Sequence, residues 1–168
     1  MSGLGFHILL NREDAKKLFG FREPEQIRDF VRQLSQSQDY RKRGRLLELG
    51  ATWDTLHRCL TDGTLDPNAG DPPLNQCFLG GRSLYDREDA IISLVRPDMA
   101  PYVAEALGEV KFEDLQKKYY ELDAAAYGRP LHEKDLEKAW IVFQQVRTFY
   151  EFASEDLSAV LFIANRKG

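Results

Sequence analysis

Ser158-Ala159-Val160-Leu161-Phe162-Ile163-Ala164-Asn165 is the stretch on which the fold turns. A strand with one wet face alternates apolar and polar residues, and this one does not. Its unbroken apolar run predicts a strand buried on both faces, at the centre of a sheet. At the other end of the chain, Gly3 to Leu10 also reads as a strand. Leu4, Phe6, Ile8 and Leu10 share one face, and Gly5, His7 and Leu9 share the other. A third short strand is expected over Ala90 to Val95, through Ile91, Ile92, Leu94 and Val95.

Helical periodicity fills the interval. Asn11 caps a short helix that carries Ala15, Leu18 and Phe19 and stops at Gly20. Pro24 opens a second helix with Ile27, Phe30, Val31 and Leu34 on one stripe. Thr52 is expected to cap a third, where Trp53, Leu56, His57 and Leu60 recur at i, i+3, i+4 and i+7. Thr64 to Pro73 holds three prolines among turn formers and reads as an extended loop. Leu74 to Leu79 is left open between helix and strand, and Gly80-Gly81 closes it. Pro97 suits the first position of a helix with Met99, Val103, Ala106 and Leu107, ended by Gly108, and Phe112, Leu115 and Tyr119 mark another. After a turn at Tyr127-Gly128-Arg129-Pro130, the longest periodic segment runs from Glu133 to Phe152. Strands at both ends with irregularly placed helices between them exclude a doubly wound parallel sheet. The expectation is an α+β fold, a single domain over 1–168. Its small mixed β-sheet includes the N- and C-terminal strands and is packed by several amphipathic helices. At 168 residues the chain buries roughly 68–70% of its unfolded surface and needs no disulfide or structural metal to fold.

Charge narrows the partners. The chain holds 23 bases and 27 acids, a net −4, but residues 1–60 carry +3 and the rest −7. Phosphate-dependent nucleic-acid binding calls for a strong basic excess, so nucleic acid is not the expected partner. The one dense basic run, Arg41-Lys42-Arg43-Gly44-Arg45, reads as a solvated connector between two helices. Two cysteines make no disulfide framework, no segment approaches a membrane span, and no signal peptide is read. A cytoplasmic protein with reduced thiols and no membrane contact is expected.

Trp53-Asp54-Thr55-Leu56-His57-Arg58-Cys59-Leu60-Thr61-Asp62-Gly63 resembles the YfbM-like family of bacterial proteins, a domain-of-unknown-function family. Gly3-Leu4-Gly5-Phe6 is similar to that family's glycine-bearing first strand. Asp71-Pro72-Pro73-Leu74 and Phe78-Leu79-Gly80-Gly81 are similar to its proline-leucine segment and leucine-glycine turn. The likeness spans nearly the whole chain. It departs at Tyr127-Gly128-Arg129-Pro130, which separates a tyrosine and proline that relatives often place together, and around Asp86 to Asp89. It implies a one-domain α+β fold and brings no activity, catalytic residue or cofactor.

Within the tryptophan-histidine segment, Asp54 and His57 stand at i, i+3 and can meet on a helix. Either the carboxylate orients His57 as a general base of a small hydrolase-like enzyme, or His57 is a core histidine held by one hydrogen bond. Cys59 is two residues from His57 and faces elsewhere, so no cysteine–histidine dyad follows. His7, His57 and His132 lie 50 and 75 residues apart, without metal-ligand spacing, and neither a metal nor a cofactor signature is read. No catalytic constellation beyond Asp54 and His57 emerges. The leading expectation is therefore a non-enzymatic protein-binding domain, of inhibitor, immunity or adaptor type. Trp53 and His57, with Asp66 and Asp71 of the proline loop, are its candidate binding residues. Those two acids could accept basic groups of a partner or only make Asx turns ahead of Pro67 and Pro72. A small-molecule ligand stays open, as does the oligomeric state.

Overall fold

The structure is a computed structural model that describes residues 3–166. Its last strand, β5 (Val160–Asn165), is central, as the unbroken apolar run predicts. It pairs on one side with β1 (Gly5–Leu9) and on the other with β4 (Ala90–Val95). Two edge strands complete the sheet: β2 (Leu46–Gly50) beside β1, and β3 (Arg82–Asp86) beside β4, in the order β2-β1-β5-β4-β3. All four pairings are antiparallel, so the sheet is not mixed as expected. The reason is connectivity: a short hairpin joins β3 to β4, and helical excursions return the chain alongside its predecessor rather than by parallel crossovers.

The two faces of β5 feed two cores. Leu161 and Ile163 pack with Ile8, Leu10, Ile92 and Leu94. They lie under α1 (Arg12–Gly20), α2 (Pro24–Ser35) and α3 (Gln38–Lys42), which contribute Leu18, Val31, Leu34 and Tyr40. Val160, Phe162 and Ala164 face the larger core. That side is covered by α4 (Thr52–Leu60), a 3-10 turn at Leu74–Cys77, and α5 (Ala100–Glu109). The chain completes it with α6 (Phe112–Tyr120), α7 (Ala124–Tyr127) and α8 (Glu133–Asp156). Each large apolar side chain so buried stabilises the fold by roughly 1.5–3 kcal/mol. No described helix is long and apolar enough to cross a membrane.

Local chemistry accounts for the boundaries. The Asn11 carboxamide accepts from the Asp14 amide at 2.7 Å and starts α1. Pro24 sits in the first turn of α2. Asp123 caps α7 through the Ala125 amide, and Gly128 ends it in a left-handed conformation (φ 89°). Several expectations shift. Thr52 is the first residue of α4 rather than its cap, which is Ala51. Pro101, not Pro97, occupies the first turn of α5, and Gly108 lies inside that helix. The basic run does not join two helices: it ends α3 and turns into edge strand β2. Its charges meet carboxylates, Arg41 with Glu48 at 2.8 Å, Arg43 with Asp39 at 2.9 Å and Arg45 with Asp156 at 3.1 Å.

The first-strand glycines are set by contact. A Cβ at Gly3 would stand 1.5 Å from the Asn165 carbonyl oxygen, and one at Gly5 2.5 Å from Cδ1 of Trp53. Trp53 lies against Phe162, and its indole N–H donates to the Gly3 carbonyl at 2.8 Å. Gly5 thus makes room for the tryptophan segment, and Gly3 for the end of the last strand.

Candidate functional site

All nine residues of α4 (Thr52–Leu60) are buried, polar ones included. Trp53 packs on Phe162 of the sheet, α6, α8 and the 3-10 turn pack along the helix, and the proline loop meets it at His57. Buried polar groups need partners, since an unpaired one costs about 1–3 kcal/mol. The partners show what each residue is for.

Asp54 and His57 are each held by another residue. The Asp54 carboxylate receives the Nε–H of Arg58 at 2.6 Å, an i, i+4 ion pair whose side chains are only about a tenth exposed. Nε2 of His57 lies 3.3 Å from the Asp66 carbonyl, which can only accept, so Nε2 carries the proton. Burial lowers the His57 pKa, against the opposing pull of that carbonyl and of Asp54 and Asp62. Its ring meets Phe78 edge-on. His57 thereby anchors the proline loop to α4, and Trp53, 5% exposed, presents no surface to a partner.

Asp66 and Asp71 are at the surface. The Asp66 carboxylate accepts from the Asn68 amide at 2.9 Å, an Asx turn within the loop. Asp62 does the same for Thr64, whose hydroxyl accepts from the Asp66 amide. The loop is therefore held by its own side chains and by His57.

Cys59 and Cys77 are buried free thiols. Burial pushes the Cys59 pKa up to about 12 and that of Cys77 well above its ordinary value, which disfavours the thiolate form of both. His7 lies in the core among Phe78, Phe149, Tyr150 and Phe162. Its Nε2 donates to the Cys77 carbonyl at 2.7 Å. His132 is exposed and caps α8 by accepting from the Lys134 amide. Among the described residues no group of three or more His, Cys, Asp or Glu side chains converges to hold a metal.

What the fold does bring together is a polar cluster beside α4. Tyr127 ends α7, Arg129 follows the left-handed Gly128, and Asp135 is in the first turn of α8. The Tyr127 hydroxyl donates to the Asp135 carboxylate at 2.6 Å, as does that of Tyr119 at 2.8 Å. With its proton so used, Tyr127 accepts from Thr55 at 2.6 Å and from Arg129 at 2.5 Å. Arg129 also pairs with Asp135 at 2.8 Å. Burial would raise the Asp135 pKa, but the bonds from Tyr127, Tyr119 and Arg129 outweigh it and hold the carboxylate below its ordinary range. Burial and the Asp135 bond raise Tyr127, so the phenol stays protonated.

This cluster backs a recess of about 580 Å³ lined by Asp54, Arg58, Leu65, Ala126, Tyr127 and Arg129, among others. Both guanidinium groups border the Tyr127 ring, Arg129 at 4.6 Å and Arg58 at 5.7 Å from its centroid. Of the residues expected at a site, only Asp54 lines it. Arg58, Tyr127, Arg129 and Asp135 were not anticipated. The i, i+4 spacing of Asp54 and Arg58 was a readable signal. Nothing in the spacing of Thr55, Tyr127 and Asp135 foretold their meeting, which depends on the α7 turn.

The comparisons agree with this architecture. The crystal structure of YfbM from Escherichia coli, a protein of unknown function, superposes with a TM-score of 0.66 at 17% identity, over 96% of this chain and 99% of that one. That likeness is one of fold. No curated protein matches the chain significantly. The model of the domain of unknown function DUF1877 matches residues 1–163. The family read from the tryptophan-histidine segment is thus established over nearly the whole length, and the chain belongs to the YfbM-like family, DUF1877.

Proposed function

We propose that this chain is a non-enzymatic binding domain that holds an exposed segment of another protein at the recess beside α4. One observation carries this reading: the recess is lined by the buried Asp54–Arg58 pair and by Tyr127 and Arg129, which hydrogen bonds to Thr55 and Asp135 hold in place. These groups are fixed before any partner arrives. A buried ion pair contributes little net stability, so fold maintenance alone does not explain charged groups placed at the mouth of a cavity. Preorganised polar groups beside an apolar wall, here Leu65 and Ala126, are what a binding pocket requires. The chemistry of the second reading, a hydrolase using Asp54 and His57, lacks its geometry, because each of the two is turned to a different partner.

Ala126 is exposed and lines the recess, so Ala126→Trp fills it without touching the core. Affinity capture with the wild-type chain and with this variant, matched for melting temperature, is the test. A partner recovered by the wild type and lost with Ala126→Trp supports the reading. Identical recovered sets, or none with either bait, contradict it.

A further inference from the structure

We propose that the recess recognises an oxyanion, a carboxylate or phosphate group, through the open N–H groups of Arg58 and Arg129. This rests on the recess being the binding surface and names the chemistry it takes.

The donor inventory points there. A guanidinium has five N–H groups. Arg58 uses Nε on Asp54 and Nη1 on the Gly63 carbonyl at 3.3 Å, and its Nη2 has no hydrogen-bond partner among the described residues. Arg129 commits Nε and Nη2 to Asp135, Tyr127 and Thr55, which leaves Nη1 without one. The Arg58 side chain is nine-tenths buried, that of Arg129 is half-exposed, and both residues line the recess. Open donors of two guanidinium groups beside one aromatic ring suit a group with several acceptor oxygens.

The local carboxylates do not cancel this. Asp135 lies behind the network, with its oxygens taken by Tyr119, Tyr127 and Arg129. Asp54 lines the recess but accepts from Arg58 Nε at 2.6 Å, which fixes the guanidinium plane and leaves Nη2 outside that bond. The acids also set a threshold. A ligand must meet both arginines at once to outweigh the nearby negative charge, which favours a small, directly seated oxyanion over a diffuse acidic surface. Leu65 and Ala126 leave room for a short apolar stem such as that of a glutamate side chain.

The test is an NMR titration of the ¹⁵N-labelled chain, followed at the Ala126 and Gly128 amides and the arginine Nε–H signals. Three probes are used: N-acetyl-glutamate N-methylamide, its glutamine isostere and inorganic phosphate. Expected are saturable shifts in the millimolar range with glutamate or phosphate, roughly tenfold weaker with glutamine, and loss of that preference in Arg129→Gln. Arg129→Lys, which keeps the charge without the fork, should restore only part of it. Tighter binding of glutamate assigns the oxyanion to an acidic protein segment, and tighter binding of phosphate to a phosphate group. Equal shifts with glutamate and glutamine overturn oxyanion recognition and leave the recess as a binding surface. No shift with any probe also overturns it, and the Ala126→Trp capture then decides the broader reading separately.

Discussion

Replacing His7 with phenylalanine isolates one buried titratable group and its part in acid stability. His7 is fully buried, stacked on Phe78 at 5.1 Å, with Nε2 donating to the Cys77 carbonyl and Nδ1 without a partner among the described residues. Burial, opposed only by that one carbonyl, lowers its pKa from 6.5 to about 4. A histidine held neutral in the folded state contributes stability that is complete above the unfolded value and is lost as pH falls from 6.5 through 4. At about 1.4 kcal/mol per pH unit, the loss over that window is about 3 kcal/mol. Phenylalanine cannot titrate. His7→Phe should cost about 1 kcal/mol at pH 8, for the missing hydrogen bond, since the Cys77 carbonyl keeps only the long 3.5 Å contact from the Tyr150 hydroxyl. Urea unfolding of both chains between pH 8 and pH 4, read by far-UV circular dichroism, measures the difference. The carboxylates and His57 titrate in both proteins, so their contributions cancel. The variant should lose its disadvantage on acidification and become the more stable form near pH 4.5. Parallel stability curves over the whole range would refute the assignment of His7 as a neutral core group.

Other substitutions test other contacts. Gly5→Ala pushes a methyl against the Trp53 indole and should destabilise by about 1–3 kcal/mol, with a shift in tryptophan fluorescence. Asp54→Asn leaves the buried Arg58 charge uncompensated and should cost about 3 kcal/mol in urea unfolding, whereas His57→Gln, removing one long hydrogen bond, should cost about 1 kcal/mol. Leu157 ends α8 at φ 53° with its side chain exposed, so Leu157→Gly should raise stability by about 0.5–1 kcal/mol, visible as a higher melting temperature. Both thiols should react with a disulfide reagent only on unfolding, and fast labelling of the native chain would contradict their burial.

The three strands legible in the sequence are the three innermost, because burial on both faces writes a largely apolar run. The two that escaped, Leu46–Gly50 and Arg82–Asp86, are the edges. An edge strand is half-solvated and tolerates charge, so Glu48 and Arg82 masked them as loop. The longer helices were legible through their stripes, α4 among them, although its polar residues concealed its burial all round; α3 and α7, of five and four residues, are too short to show a stripe and were not read. For the site, the right segment stood out while the wrong pair within it drew attention. Asp54 and His57 share a helix face, yet tertiary neighbours, Arg58 one turn on and the Asp66 carbonyl of the loop, claimed them separately. Arg129 owes its place to the left-handed turn at Gly128, which no periodicity reveals.

Site-specific photo-crosslinking from Ala126 puts the recess to the most direct test. A benzophenone side chain there, in living cells, should give a discrete protein adduct. The same probe at Arg82, on the far edge of the sheet, should give none, and Arg129→Gln should abolish the Ala126 adduct. An adduct that persists unchanged in Arg129→Gln, or one that forms from Arg82 and not from Ala126, would contradict binding at this recess.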